Sequence, residues 1–316
     1  MRILVGASGI LSLPTIEALN NLKEYQIVGL LTKQDALSGR GYKPTPTQAK
    51  LKAQALGWKI YQPISLKNKE FIAQLKKLRL DLILTIDYGD ILPKEILQIP
   101  KYGCINLHPS LLPDYRGKAP INWVIIKGEE YTGLTLHFLD ERIDCGDIIL
   151  QKKVKINPKE DAGTLKSRLS ELAKDVIIEG IAKLRQGDYT RTPQPAKGKF
   201  YAKSILAKDC LINWQDTAYN IHNFIRGLSP KPSAFTYLPF KGKIFRLKIY
   251  KAKIVDDKTE FDTPGEIIKI NSNELIISTK KGSLAILELQ LEGKKRMQIA
   301  EFLRGYPLKC GLILKG

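Results

Sequence analysis

The sequence is short of acidic side chains, of paired cysteines and of long apolar runs. No apolar stretch approaches the roughly 18 residues that a membrane-spanning helix needs, so no membrane segment is expected. Cys104, Cys145, Cys210 and Cys310 lie 41, 65 and 100 residues apart, with no C-x-x-C and no neighbouring histidine pair. That spacing builds neither a zinc framework nor a disulfide ladder, and it suits a reducing cytosol; a cytoplasmic protein with no metal is expected. Internal repeats and low-complexity tracts are absent as well. Arg2 followed by uncharged residues from Ile3 to Ile16 imitates a secretory leader. A single basic residue, the interruptions at Gly6, Gly9 and Pro14, and the lack of a small-residue cleavage site argue against one.

The shortage of acid is the unusual bulk property. Against 51 Lys and Arg stand 32 Asp and Glu, a net charge of +19 over 316 residues. Residues 207–316 hold 19 of the basic and 11 of the acidic residues, so the surplus is spread over both halves and is not a tail. Such a field suits a polyanionic partner, or reflects a lysine-rich proteome; it carries no information on fold. At 43% hydrophobic and 26% charged residues, the chain is of ordinary globular composition, which excludes disordered, collagen-like and disulfide-scaffold classes. At roughly 150 residues per domain, its length suggests two domains.

Apolar runs at Arg2–Gly6, Tyr25–Leu31, Trp58–Tyr61, Leu80–Ile86 and Gly103–His108 alternate with helical stretches at Leu13–Leu22, Thr45–Leu56, Lys67–Leu78 and Lys94–Leu97. This alternation predicts a doubly wound α/β domain with a mostly parallel sheet. A helix at Ala119–Lys127, strands at Gly133–Leu139 and Ile148–Ile156, and a long helix from Ala162 to about Leu184 complete a first domain over residues 1–188. Residues 189–206, with Pro193, Pro195 and Gly198, read as a linker. Residues 207–316 form a second domain: one helix (Ala218–Arg226), then short strands at Ala234–Tyr237, Ile244–Ala252, Gly265–Ile270, Glu274–Ser278 and Ser283–Glu288. That pattern predicts a small OB-like β-barrel. The first turn, Gly6-Ala-Ser-Gly9, lacks the third glycine of a dinucleotide fingerprint, and no acidic residue ends the second strand, which excludes a NAD enzyme on this signature.

The most informative stretch is Asn106-Leu-His108-Pro-Ser110-Leu111-Leu112-Pro113-Asp-Tyr115-Arg116-Gly117. Asn106 and His108 are two apart at the carboxyl end of a predicted strand, so both project to one side, at the end of an α/β sheet that faces the ligand crevice. The segment behind them has no helical or strand period and is stiffened by Pro109, Pro113 and Pro120, as functional loops often are. A second polar cluster, Asp140 to Asp147, either forms a solvated turn or places one acid beside His108; spacing alone does not choose. Cys145 reads as a small packed residue in preference to a nucleophile.

The Asn106-x-His108-x-Ser110-Leu-Leu-Pro-x-Tyr115-Arg116-Gly117 run, with Asp144 following 36 residues after the histidine, resembles the 10-formyltetrahydrofolate-dependent formyltransferases. The resemblance implies that Asn106, His108 and Asp144 form the catalytic group. It further implies that Ser110, Leu111, Leu112 and Pro113 border the folate, and that Tyr88, Gly89 and Asp90 line its pterin pocket. Asp87 and Asp90 stand where the family usually has small or amide residues, Arg142 where a small one is common, and Gly6-Ala-Ser-Gly9 replaces a Gly-Thr-x-x-Phe turn. The segment Thr32 to Pro46, with Lys33, Arg40 and Lys43, resembles the loop with which tRNA-directed members grip the acceptor end of initiator tRNA. Phe224 to Pro232 and Leu289 to Gly305, including Lys294, Lys295 and Arg296, resemble their carboxyl-terminal tRNA-binding domain.

The implied activity is formyl transfer from 10-formyltetrahydrofolate, as cosubstrate, to the methionine amine of initiator Met-tRNA, by a monomer. Direct attack by the amine calls for donors aimed at the developing oxyanion, here the Asn106 amide and protonated His108, and for a proton acceptor such as Asp144. A sugar-nucleotide amine formyltransferase would share the Asn/His/Asp group but needs neither the Gly39-Arg40-Gly41 loop nor a basic second domain. A non-catalytic RNA-binding protein on the same scaffold predicts loss of those three residues, which are all present.

Overall fold

The structure is a computed structural model that describes residues 1–38 and 43–316. Its elements run β1 (Arg2–Ala7), α1 (Leu13–Asn21), β2 (Gln26–Leu31), β3 (Ala36–Ser38), β4 (Lys43–Thr45), α2 (Gln48–Ala55), β5 (Ile60–Tyr61), α3 (Lys69–Lys77), β6 (Leu82–Ile86), α4 (Lys94–Leu97) and β7 (Cys104–His108). Then come β8 (Arg116–Gly117), α5 (Pro120–Ile126), β9 (Tyr131–Phe138), β10 (Ile148–Lys155), α6 (Ala162–Gln186) and β11 (Tyr201–Ala202). The remainder is α7 (Ala218–Leu228), β12 (Ala234–Phe240), β13 (Lys243–Glu260), β14 (Ile267–Ile270), β15 (Leu275–Ser278), β16 (Lys281–Leu291), β17 (Met297–Gln298) and α8 (Ile299–Gly305).

Two compact units divide the chain. The first comprises Met1–Pro120, Tyr131–Lys155 and Lys166–Lys203; the second takes Ile121–Glu130 and Ile156–Leu165 as well as Ser204–Gly316. The division in space is therefore not a single cut in the sequence.

In the first unit the strands are ordered β10-β9-β7-β6-β1-β2-β5, parallel from β5 to β7 and antiparallel for β9 and β10. The near-continuous apolar runs of β1 and β6 are what a sheet covered on both faces requires: Ile3, Leu4 and Val5, like Leu82, Ile83 and Leu84, are fully buried. Helices start where short polar residues cap them. Thr47 accepts the Lys50 main-chain N–H and Asn68 that of Phe71, which moves the start of α2 inward from Thr45 and leaves Lys43–Thr45 to pair with Ala36–Ser38.

The second unit is a strongly bent antiparallel sheet in the order β12-β13-β16-β15-β14, with β17 added to β16. Its two edges are joined by the chain's last residues. Lys315 exchanges main-chain hydrogen bonds with Tyr237 of β12, while Gly311, Leu312 and Leu314 bond to Gly265 and Ile267 at β14. The sheet thus closes as a barrel and leaves no open edge there. Leu238, Leu247, Ile249, Leu284, Leu289 and Phe302 fill it, and Trp214 donates its indole N–H to Thr236 at 3.0 Å. Strand β13 runs eight residues past Ala252, because Asp256, Asp257 and Lys258 belong to a bulged extension that water reaches, where apolar alternation gives no signal. Helix α8 and the short strands β3, β4, β8, β11 and β17 also have no periodic signature. Among the described residues no helix is long and apolar enough to cross a membrane.

Candidate active site

From β1 the chain steps outward through β2 to β5, then returns to the other side of β1 for β6 and β7. The carboxyl ends of β1 and β6 are therefore the topological switch point at which α/β sheets hold ligands. A cleft of about 560 Å³ opens there, lined by residues that include Leu11, Thr85, Tyr88, Asn106, His108 and Asp144. A wider recess of about 790 Å³ along β5 and α3 shares no residue with it and holds none of the sequence-marked groups.

Three adjacent strands build a polar row. Cross-strand register sets Thr85 of β6 beside Asn106 of β7, and Asn106 opposite His137 of β9. The Thr85 hydroxyl donates to Asn106 Oδ1 at 2.8 Å, and Asn106 Nδ2 lies 3.2 Å from His137 Nε2. Burial lowers the pKa of His137 to about 4, so this ring is neutral near pH 7; its Nδ1–H goes to the Phe138 carbonyl at 2.8 Å and its Nε2 accepts from Asn106. The amide of Asn106 is thereby oriented from both sides and keeps a second N–H for a ligand.

Asp144 sits between two imidazoles. Its Oδ2 is 3.6 Å from His108 Nδ1 and its Oδ1 is 3.7 Å from His137 Nε2, beyond hydrogen-bond range in both cases. With His137 neutral, the second contact is not an ion pair. The Gly117 main-chain N–H donates to Oδ2 at 2.9 Å and holds the carboxylate in place. Asp144 adopts a positive φ of 52°, and its carbonyl takes hydrogen bonds from Arg116 and Gln194. His108 is more constrained than its place in the motif suggests. Its Nε2 hydrogen-bonds the Tyr115 carbonyl at 2.9 Å, so only Nδ1 is left to serve a ligand.

The loop after β7 is held by side chains that sequence reasoning did not single out. Buried Thr135 donates to the Ser110 carbonyl and accepts from the Leu112 N–H, and Gln151 bonds both Thr135 and the Leu112 carbonyl. Arg116 is spent on main chain and amide: it donates to the carbonyls of Asp144, Pro195 and Ala196 and to the Gln194 side chain. Ser110, expected to border folate, is fully buried and donates to the Asp114 carbonyl at 2.6 Å. Neither it nor Leu111, Leu112 or Pro113 is among the cleft-lining residues, because the motif's leucines pack inward where the loop needs anchoring. The loop places His108, Pro109 and Gly117 on the cleft instead.

Tyr88, Gly89 and Asp90 do line it. Tyr88 is buried and its phenol pKa is pushed up by desolvation. The two acids of this loop are neutralised: Asp87 pairs with Lys166 at 3.0 Å and Asp90 with Lys33 at 3.2 Å. Gly9 also finds its reason here, since a Cβ at that position would fall 1.9 Å from the Asp87 carboxylate. A larger residue there would push the Asp87 side chain aside.

The basic residues assigned to a polynucleotide fare differently. Lys33 is held by Asp90, Lys295 by Glu301 at 3.0 Å, and Arg296 by a two-pronged pair with Glu288 at 2.6 Å. Arg40 lies outside the described residues. Lys294 has no ion pair among the described residues. His137, Thr85, Thr135, Gln151 and Gln194 are the site residues that motif reasoning missed. The one sequence signal for His137 was its two-residue spacing from Thr135 on an apolar strand.

A mostly parallel sheet with an Asn/His/Asp constellation at its switch point, followed by a closed antiparallel barrel, defines a group-transfer enzyme class. Residues 1–181 match the formyl transferase family and residues 204–307 its C-terminal domain, and the chain belongs to that family. It is 40% identical over 314 residues to the methionyl-tRNA formyltransferase of Pelotomaculum thermopropionicum, covering 99% of this chain and 98% of that one. To the protein of that name from Thermodesulfovibrio yellowstonii it is 42% identical, covering 95% and 94%. Among solved structures, HypX from Aquifex aeolicus in complex with tetrahydrofolic acid superposes with a TM-score of 0.64 at 18% identity, over 100% of this chain. The chain spans 50% of HypX. An N-formyltransferase from Helicobacter canadensis, in complex with folinic acid and dTDP-3-aminofucose, also reaches 0.64 at 18% identity, covering 93% and 99%.

Proposed function

We propose that this chain transfers a formyl group from 10-formyltetrahydrofolate to the α-amino group of methionine on initiator Met-tRNA, in the cytoplasm, for translation initiation. The observation that carries the reading is the cleft constellation: an amide oriented from both sides beside a carboxylate held between two imidazoles. End-to-end similarity to proteins named for this activity supports the choice of amine.

The cleft suits a folate. Leu11, Ile91, Leu92 and Leu97 give apolar walls for a flat ring, and the Tyr88–Asp90 loop brings polar groups to its edge. Gly89 has a φ of 84°, and a Cβ there would meet Lys33 Nζ at 2.9 Å. When bound, the cosubstrate supplies an acyl carbon activated by attachment to nitrogen. Addition of the amine lone pair to that carbon moves an electron pair onto the formyl oxygen, for which the unused N–H of Asn106 is the donor. A donor of this kind is worth about 3 kcal/mol in the transition state. The attacking amine then sheds a proton that Asp144 accepts, directly or through one water. His108 Nδ1, 3.6 Å away, takes that proton from Asp144 and returns it to the departing nitrogen. One proton is lost from the attacking nitrogen and one is gained by the leaving nitrogen, so no covalent enzyme adduct is required.

Incubation with 10-formyltetrahydrofolate and Met-tRNA, initiator and elongator in parallel, tests the reading. Formyl-methionine on the initiator species is expected. Its absence there, or product formed instead on a sugar-nucleotide amine, overturns it.

A further inference from the structure

The stretch expected as a linker is laid along the first unit as a strap. Thr192 exchanges main-chain hydrogen bonds with Ile148 at 2.9 and 3.0 Å, and Tyr201–Ala202 (β11) pairs in parallel with β8. Between these two anchors, Asp114 Oδ1 accepts the Lys199 N–H at 2.6 Å, and the Tyr115 N–H donates to the Phe200 carbonyl at 2.8 Å. Gly198 passes so near the loop after β7 that a Cβ there would fall 2.0 Å from the Pro113 carbonyl oxygen. A main-chain oxygen cannot swing aside as the tip of a side chain can, so the strap has glycine at its closest approach.

Gln194 reaches from this strap to Asp144. Its Nε2 donates to the main-chain carbonyls of Asp144 at 3.1 Å and Gly146 at 2.6 Å, and its Oε1 accepts from Arg116 Nε at 3.2 Å and Nη2 at 2.8 Å. A guanidinium only donates and a carbonyl only accepts, so these neighbours dictate which way the amide points; both of its N–H groups and both lone pairs are used. Arg116 Nε also donates to the Asp144 carbonyl, at 3.1 Å. That carbonyl needs holding, because Asp144, with a φ of 52°, adopts a left-handed conformation that few residues other than glycine take up. The carboxylate is fixed separately by the Gly117 N–H at 2.9 Å, and Gly117 lies in β8, opposite Ala202 of the strap. The His108 ring bonds the carbonyl of Tyr115, the residue whose N–H Phe200 accepts.

We propose that Gln194 is a positioning residue for formyl transfer: its amide holds the main chain at Asp144 so that the carboxylate faces both the attacking amine and His108 Nδ1. The proposal rests on the reading above, in which Asp144 takes a proton from the amine and passes it to His108. Asp144 Oδ2 already stands 3.6 Å from Nδ1, and a turn of the 144–146 main chain would lengthen a transfer that has no slack. Gln194 is not among the cleft-lining residues, so it acts through Asp144 and not on a substrate. The segment that follows α6 is on this account part of the catalytic apparatus and not a tether.

Steady-state formylation of initiator Met-tRNA by the full chain tests it, with thermal unfolding of each variant alongside. Q194M keeps the length and bulk of the side chain and removes the amide. R191M removes a guanidinium that stacks 3.9 Å from the centre of the Phe138 ring, just ahead of the strap, and that makes no bond to Asp144 among the described residues. Q194M is expected to lower kcat roughly 10- to 100-fold, with the KM of both substrates within about twofold of wild type. R191M is expected to keep wild-type kcat whatever it does to Tm. Wild-type kcat in Q194M overturns the proposal, and so does a loss confined to KM. An equal loss of kcat in R191M assigns the effect to a loosened strap and overturns it as well. Should Q194M fail to fold, Q194N carries the same test: its amide, one methylene shorter, cannot span Arg116 and both carbonyls, so the same fall in kcat is expected and its absence is equally fatal. Wild-type protein that forms no formyl-methionine overturns the reading of the reaction and this role together. Wild-type turnover with Q194M unimpaired overturns the role alone.

Discussion

The cleft of the first unit and the outer face of the barrel both carry polar residues on regular strands, but they manage their charge in opposite ways. In the cleft the polar side chains are positioned by protein partners: Asn106 is held by Thr85 and His137, Asp144 by Gly117, and Arg116 by main chain and amide. On the barrel, Arg246 and Lys248 stand half-buried beside an open hollow, with no ion pair among the described residues. The first arrangement fixes a few atoms to a fraction of an ångström, as a reaction needs. The second leaves charge in reach of solvent, where any contact it makes is one weak term among several. Substitutions in the cleft should therefore act steeply and singly, and those on the barrel gently and together.

The steepest expected effect is that of Asn106→Ala. Loss of the amide aimed at the oxyanion should lower kcat roughly 10²- to 10³-fold in single-turnover formylation while tRNA affinity persists. A fall in affinity with kcat kept would erase the contrast between the two regions. Arg116→Met should cost about 3 kcal/mol of stability in a denaturant titration, because five hydrogen bonds to Asp144, Gln194, Pro195 and Ala196 disappear and buried carbonyls lose their donors. An unchanged midpoint would mean that the loop behind the cleft is not clamped by it. Thr85→Val removes only the hydroxyl that aims Asn106, and about a tenfold loss in kcat with little change in KM is expected.

The buried neutral His137 yields a pH signature. Its folded pKa, near 4, lies below the 6.5 of an exposed histidine, so between these values the unfolded chain binds more protons. Stability should fall as pH drops through that window, and His137→Gln should flatten this part of the curve; an unaltered slope would show the ring to be protonated in the fold. The smallest effect belongs to Arg296→Ala. Its exposed pair with Glu288 should contribute under 1 kcal/mol, read as a shift of a degree or two in Tm, and its loss should change tRNA affinity less than Lys248→Ala does.

Much of this architecture is legible from residue order. The alternation of apolar runs and helical stretches places β1, β2, β6 and β7 and their helices within a few residues, because strands covered on both faces must be uniformly apolar. Asn106 and His108 announce themselves by spacing and by the unperiodic proline-rich loop behind them. The bulged end of β13, the short hairpin of β3 and β4, and helix α8 leave no such trace, since water or a neighbouring strand stabilises them and not a hydrophobic face of their own. Neither could Ser110 be told from a ligand contact: its place in the motif is the same whether its hydroxyl meets a folate or the Asp114 carbonyl.

Residue order, then, settles the two-part architecture, the strand on which the chemistry sits and the surplus of positive charge, because these depend on local periodicity and composition. Folding decides which charges remain free and which atoms face the cleft. His137 reaches Asn106 only through antiparallel pairing across 31 residues, and Asp144 reaches His108 only because the Gly117 N–H fixes it there. Lys295 and Arg296 look like Lys294 along the chain, yet Glu301 and Glu288 neutralise the first two and not the third. Partners far apart in sequence decide such matters, and register brings them together.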